Sequence, residues 1–344
     1  MILSICIPTF NRAKCLRKTL EIYFKQVHDG KYQHDVEFNI SDNGSTDDTE
    51  NIVRELSEIN DDIHITYRRN EKNLGPDKNY IQAMKMARGD YSILWSDDDY
   101  LRDNALNFIV NTIKENPKVA VFISNRNLLL NGEQDIGIQY FINSSIKTRY
   151  YDFSKVDEAV SYFSSVVNLG GLFTYIPAII YKTEVIELYR YDGSLDGTYY
   201  SFMYYWWQYL LEGRVLMYLK TSYIDCTYGD NTNFGVGINR VLVDYEGLIK
   251  VTEVLHMSGL IKDLFLSRLD FSYNIANLIF YRIYFDRSVF DSRLLPALKK
   301  AGVSEEDIRT IQDYSSVKWG IANLTAIISQ PLFRFAHKVY NLLK

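Results

Sequence analysis

Cysteine, proline and histidine are scarce in this sequence: 344 residues hold 3 Cys, 6 Pro and 5 His. Cys6, Cys15 and Cys226 leave at least one thiol unpaired, and Cys6 sits in an apolar run that reads as a buried strand. A disulfide-stapled secreted framework is thereby excluded, and a reducing, cytoplasmic setting is expected. His28, His34, His64, His256 and His337 show no metal-ligand spacing. No serine nucleophile elbow and no glycine-rich P-loop occurs, which removes zinc hydrolase, serine hydrolase and kinase chemistries. The start lacks a basic n-region and a small-residue cleavage site, and Pro8 interrupts its apolar stretch. No window reaches the roughly 18 apolar residues of a membrane span, so a soluble or peripheral protein is expected. Positive charge is not in excess either. Lys and Arg number 38 against 43 Asp and Glu, a net charge of -5, and nothing in that balance would hold a polyanion; nucleic acid is not an expected partner.

What is present is apolar and aromatic. Hydrophobic residues make up 47% of the chain, enough to bury one large domain with an appendage. Tyrosine reaches 28, much of it central, as in Tyr199-Tyr200 and Tyr204-Tyr205-Trp206-Trp207. Such rings line a sugar site or simply pack, and packing is the commoner use.

The first 125 residues follow a βαβα grammar. Ile2–Ile7, Val36–Ser41, Ile63–Tyr67, Tyr91–Trp95 and Val119–Ser124 are short apolar or β-branched runs. Helix-period stretches separate them, at Arg12–Lys25, Thr46–Ile59, Asp77–Ala87 and Asn104–Glu115. The pattern predicts an α/β fold with a mainly parallel, Rossmann-like sheet and helices on both faces. Residues 126–237 are less regular, with strands expected at Ile176–Tyr181, Val215–Leu219 and Tyr223–Thr227 and a helix at Tyr200–Leu211. Residues 1–237 are read as one domain, divided at 125 into nucleotide-binding and acceptor-binding halves. Residues 238–344 read as a helical C-terminal region. Its last stretch has no acidic residue after Asp313 and mixes Lys318, Arg334, Lys338 and Lys344 with apolar residues. That tail either lies on an anionic membrane surface or packs as a last helix on its own domain.

Ligands in parallel α/β sheets collect at the carboxyl ends of strands, where the polar clusters of this half fall. Asp97-Asp98-Asp99 follows the fourth run. Adjacent carboxylates repel, so either a hard divalent cation, Mg2+ or Mn2+, joins them and bridges to phosphate, or the turn is a solvated helix cap. Asp42-Asn43-Gly44-Ser45-Thr46 ends the second run; Asn43 to Thr46 are turn and cap residues, while Asp42 is placed to accept from a base or ribose. Asn73-Leu74-Gly75-Pro76-Asp77-Lys78 opens the third helix, whose amides and Lys78 suit an anion, although an ordinary capped helix reads the same way.

In series, Ser4-Ile5-Cys6-Ile7-Pro8-Thr9-Phe10-Asn11-Arg12, the Ser41 to Asp47 turn, Asn73-Leu74-Gly75 with Asn79, and Gly89-Asp90-Tyr91 leading to Asp97-Asp98-Asp99 resemble the glycosyltransferase family 2 signature. Gly170-Gly171-Leu172-Phe173 and Gly229-Asp230-Asn231 are similar to its abequosyltransferase-like branch, which attaches 3,6-dideoxyhexoses during O-antigen assembly. The resemblance implies a GT-A fold and inverting transfer from a nucleoside-diphosphate sugar to a glycan acceptor, lipid-linked or polysaccharide, at the cytoplasmic membrane face. It implies nucleotide contacts at Pro8, Thr9, Asn11, Arg12, Asp42, Lys78 and Asp97, and a metal, Mg2+ or Mn2+, on Asp98 and Asp99. An inverting displacement also needs a base for the acceptor hydroxyl, in the family an Asp about a dozen residues before a Gly. Counting back from Gly213 reaches Ser201-Phe202, where no carboxylate stands. Asp230 and Asp196 are the substitutes, each beside a Gly and each also a plausible turn residue. A missing base leaves a second reading, a non-catalytic sugar-nucleotide-binding or scaffolding protein of a glycan assembly complex. A Rossmann oxidoreductase is disfavoured because the first strand leads into Pro8-Thr9-Phe10-Asn11 rather than a glycine fingerprint.

Overall fold

The computed structural model describes residues 1–228, 238–269, 275–284 and 286–313. Asp230, its neighbours Gly229 and Asn231, and the basic tail from 314 onward lie outside the described residues.

β1 (Leu3–Thr9), β2 (Val36–Asp42), β3 (His64–Arg69) and β4 (Tyr91–Leu94) form parallel ladders in the order β3-β2-β1-β4. β1 and β2 are buried along their whole length, as continuous apolar runs in parallel sheets require. α1 (Ala13–Gly30) follows β1 and buries Leu16, Leu20, Tyr23, Phe24 and Val27, a helical stripe. It ends where Lys31 takes a left-handed backbone, φ 56°, and donates to the carbonyls of His28 and Val27. α2 (Thr49–Ile59) packs against α1, and α3 (Pro76–Lys85), started by Pro76 behind Gly75, lies on β1 and β2.

β5 (Tyr100–Leu101), α4 (Ala105–Glu115), β6 (Val121–Ser124), β7 (Arg126–Leu130), β8 (Gln134–Gln139), β9 (Arg149–Asp152) and α5 (Val156–Ser165) come next. β10 (Ile179–Lys182), α6 (Val185–Leu188), α7 (Met203–Leu211), β11 (Val215–Leu219) and β12 (Ile224–Tyr228) complete the sheets. The main sheet runs β3-β2-β1-β4-β10-β6-β11-β9, with β10 and β9 antiparallel to their neighbours, so the sheet is mixed but mainly parallel. A second sheet, β5-β12-β7-β8, stands beside the end of β4. The strand expected from Ile176 starts only at Ile179, because Pro177 cannot donate to a ladder and Ile176–Ala178 forms a 3-10 turn instead.

The central aromatics pack. Tyr205, Trp206 and Trp207 of α7 are fully buried, and Trp207 stacks between Phe163 (centroids 5.5 Å) and Phe173 (4.6 Å). Gly170 and Gly171 serve the same packing: a Cβ at Gly170 would stand 2.4 Å from Phe141 Cδ1, and one at Gly171 2.8 Å from Val166 Cγ1. Steric need thus explains both glycines of that motif.

Beyond 238 the described residues are helical: α8 (Ile238–Val254), α9 (Gly259–Ser267), α10 (Ile275–Tyr284), α11 (Arg287–Val289), α12 (Leu295–Lys300) and α13 (Glu305–Asp313). A π turn at Phe290–Leu294 joins α11 to α12. α8 packs on α7 and α9 on α5, and one continuous apolar core runs from β1 to α13. Among the described residues no helix is long and apolar enough to cross a membrane. All three cysteines are free.

Candidate active site

Strand order reverses at β1, since β2 and β3 lie on one side of it and β4 on the other. At such a switch point the two outgoing loops diverge and leave a crevice at the carboxyl edge. The ends of β1 and β4 meet there through one hydrogen bond, from Thr9 Oγ1 to Asp97 Oδ2 at 2.6 Å.

The acidic turn after β4 is held by its carbonyls. Trp95 Nε1 donates to the Asp99 carbonyl (3.0 Å), Thr19 Oγ1 of α1 to that of Asp97 (3.0 Å), and Thr227 Oγ1 of β12 to that of Asp98 (3.1 Å). With the backbone fixed, the three carboxylates diverge. Asp97 points inward to Thr9. Asp98, the most exposed of them, takes the Arg12 guanidinium at 2.5 Å, and Arg12 also lies 3.8 Å from Asp97. Asp99 is buried and accepts from the Ser96 hydroxyl, with Tyr175 and Arg126 on its inner side. Burial raises the Asp97 carboxyl to about 7, with the Asp98 charge adding to it, against the lowering effect of Arg12 and Thr9. Burial and Asp98 likewise raise Asp99 to about 6. Two carboxylates, Asp97 and Asp98, thus share one partly buried guanidinium, while Asp99 faces Arg126 instead.

Among the described residues no group of three or more His, Cys, Asp or Glu is arranged to hold a metal ion. The donor set fits a hard cation only in part: Asp98 presents a carboxylate at the rim, and phosphate or water oxygens would have to complete the shell. Of the expected ligand pair, Asp98 faces the rim toward Arg12, while Asp99 turns its carboxylate toward Ser96. The polypeptide fixes adjacent carbonyls at this turn, and adjacent side chains then leave in different directions.

The β1 and β2 loops are stitched together. Pro8 lies within β1 opposite Ser41, and Asn11, at φ 53°, accepts from the Thr46 amide (2.7 Å) while its own amide donates to Ser45 Oγ (2.9 Å). Gly44, at φ 79°, packs on Lys72; a Cβ there would stand 2.9 Å from the Lys72 carbonyl carbon. Asp42 is fully buried, with Oδ1 accepting from the Ser45 amide (2.8 Å) and Oδ2 from the Tyr67 hydroxyl (2.6 Å). A base or ribose reaching Asp42 has Tyr67 to displace. Asn43 binds Asn73, Leu74 and Gly75, and Asn79 binds Ser41, so the third loop belongs to the same rim.

Lys78 Nζ stands 3.8 Å from Asp196 Oδ2, and Asp196 also accepts from the Tyr191 hydroxyl (3.0 Å). Two residues singled out far apart in sequence are therefore neighbours. Asp230, the other candidate base, lies outside the described residues. Sequence reasoning missed Tyr67, Thr227, Tyr80 and Asp77. Burial pushes the phenol of Tyr80, on α3, upward, and the charges of Asp77, Asp97 and Asp98 add to it. Its helical spacing from Asp77 was the only available signal.

Comparison with known proteins accords with this geometry. The family model for glycosyl transferase family 2 matches residues 4–163. Abequosyltransferase RfbV of Salmonella typhimurium is 26% identical over 337 residues, 95% of this chain and 97% of the relative. The GalNAc(5)-diNAcBac-PP-undecaprenol beta-1,3-glucosyltransferase of Campylobacter jejuni is 32% identical over 113 residues, 33% of this chain and 35% of the relative. The S. aureus TarS 1-349 structure in complex with UDP superposes with a TM-score of 0.63 at 18% identity, over 89% of this chain and 82% of that one. Mannosyltransferase PcManGT from Pyrobaculum calidifontis, in complex with GDP-Man and Mn2+, gives 0.56 at 14% identity over 99% and 84%. These two structures share the fold. Residues 4–163 thus carry a glycosyl transferase family 2 domain, and the chain is a glycosyltransferase with a GT-A-like fold.

Proposed function

We propose that this enzyme is an inverting, metal-dependent glycosyltransferase that moves a sugar of the deoxy- or 3,6-dideoxyhexose class from a nucleoside diphosphate to a lipid-linked glycan or polysaccharide in O-antigen or capsule-type assembly. The observation that carries the reading is the convergence of Thr9, Arg12, Asp97 and Asp98 at the switch point between β1 and β4. The sugar class is supported by similarity to an abequosyltransferase over nearly the whole chain, and the lipid link by the undecaprenol named in the Campylobacter relative.

In this reading Pro8, Thr9, Asn11, Arg12, Asp42, Lys78 and Asp97 form the nucleotide side of the rim. Asp98 would hold Mg2+ or Mn2+, which when bound offsets charge growing on the departing diphosphate. Arg12, once released from Asp98, would meet a phosphate oxygen. Asp196 takes the proton of the acceptor hydroxyl as that oxygen attacks the anomeric carbon and the bond to diphosphate breaks. Asp230 is the second candidate for this proton transfer. Peripheral membrane contact through the basic tail is the proposed route to a lipid-linked acceptor.

Transfer assays with Asp196→Asn and Asp230→Asn test the base. Loss of turnover with retained donor binding in one variant names it; full rates in both remove both candidates.

A further inference from the structure

We infer that Asp77 is a positioning residue for transfer, holding the Gly197 to Ser201 segment, and with it Asp196, against the donor-side rim. The inference rests on the reading of Asp196 as the base. Asp77 is the second residue of α3, where a carboxylate ordinarily serves its own helix. Here it reaches across the chain instead: Oδ2 accepts the amides of Gly197 (2.9 Å) and Tyr199 (3.0 Å), and Oδ1 that of Ser201 (3.0 Å). The Asp77 carbonyl also accepts Ser201 Oγ (3.1 Å).

The segment it grips has a backbone that needs gripping. Gly197 at φ 87° and Tyr199 at φ 68° are both left-handed, and for a tyrosine that conformation costs about 1 kcal/mol or more. Alternating left-handed residues turn every second amide to one side, and Asp77 is 3% exposed at the point where those amides converge. Asp196 leads directly into this segment, and the next residue of α3, Lys78, stands 3.8 Å from its carboxylate. From behind, the Tyr200 hydroxyl donates to Asp244 of α8, and a Cβ at Gly247 would stand 2.7 Å from the Tyr200 ring. The C-terminal helices therefore back the segment while Asp77 faces it from the nucleotide side. Asp77 also lies in the same Asn73 to Lys78 stretch that Asn43 ties to the β2 loop. Order imposed on that stretch by a bound nucleotide passes through one carboxylate to the loop that carries Asp196.

The test is amide hydrogen exchange of residues 195–202 in the full chain, alone and with Mn2+ plus each of UDP, GDP, CDP and dTDP. In the wild type, the nucleotide that binds slows exchange in this stretch. In Asp77→Asn, exchange there speeds up about 10- to 100-fold, as expected when three amides lose their charged acceptor, and the nucleotide no longer slows it, while nucleotide affinity stays within about 3-fold. A merely structural role would instead accelerate exchange throughout the molecule. Gly197→Ala provides a second variant, because a Cβ there meets nothing within 4 Å and acts only through strain at φ 87°; it should loosen the same stretch with Asp77 intact. Wild-type exchange in both variants, or acceleration spread over the whole chain in both, overturns the inference. Asp196→Asn should leave the exchange pattern as in the wild type; if it also leaves transfer intact, the base assignment fails while the Asp77 result stands on its own.

Discussion

The Arg12 guanidinium lies 2.5 Å from the Asp98 carboxylate, so the acidic turn carries its own cation. A divalent ion approaching Asp98 competes with Arg12 for the same oxygens. Both side chains are partly exposed, which keeps the pair to about 0.5–1 kcal/mol. Arg12→Gln should therefore tighten Mn2+ binding in the absence of nucleotide by about 2- to 5-fold, and should weaken binding of the nucleoside diphosphate. Calorimetric titration with Mn2+ alone and then with nucleotide reads both effects. Unchanged Mn2+ affinity would show that the pair does not guard Asp98.

Asp97 sets a pH dependence. Its folded value of about 7 is above the unfolded carboxylate's roughly 3.9, so the folded state binds the proton more tightly. The sign follows: this group's contribution to stability is fully present below about pH 4 and is lost as pH rises toward 7 and above. With metal chelated, the Tm of the wild type relative to Asp97→Asn should fall by several degrees between pH 4.5 and 8. A difference that stays flat or rises with pH contradicts the assignment.

Trp207 is expected to matter for stability alone. Its ring is stacked between Phe163 and Phe173, and its Nε1 donates to the Leu172 carbonyl at 3.1 Å. Trp207→Ala should cost about 3–5 kcal/mol in chemical denaturation. Nucleotide affinity of the folded fraction should be unchanged; a selective loss of binding with normal stability would return this ring to the sugar site.

Asp99 and Asp98 separate by the same logic. Asp99→Asn keeps an acceptor for Ser96 and should leave metal binding within about 3-fold, whereas Asp98→Asn removes the rim ligand. Manganese titration of the two variants distinguishes them, and equal losses would restore Asp99 as a ligand.

The first four parallel strands were legible because both faces of β1 and β2 are buried and their apolar runs carry no other explanation. Boundaries slipped where local rules compete, as at Pro177, which delays β10, and at β7 and β8, which are mostly half-buried and exposed and so carry little core-facing signal. Side-chain direction was not legible. Nothing in Asp97-Asp98-Asp99 says that the three carboxylates part company, because the hydrogen bonds that fix their carbonyls come from Thr19, Trp95 and Thr227, up to 129 residues away. The link of Asp77 to Gly197, Tyr199 and Ser201 was hidden for the same reason.

The central claim is metal-dependent binding of a nucleoside diphosphate at the β1/β4 rim, and a thermal-shift screen of UDP, GDP, CDP and dTDP, with and without Mn2+, on the wild type and Asp98→Ala tests it most directly. The account predicts a rise in Tm for one nucleotide that requires Mn2+ and disappears in a folded Asp98→Ala protein, with CDP pointing to a dideoxyhexose donor. No shift with any nucleotide, or a shift indifferent to both Mn2+ and Asp98, would contradict it.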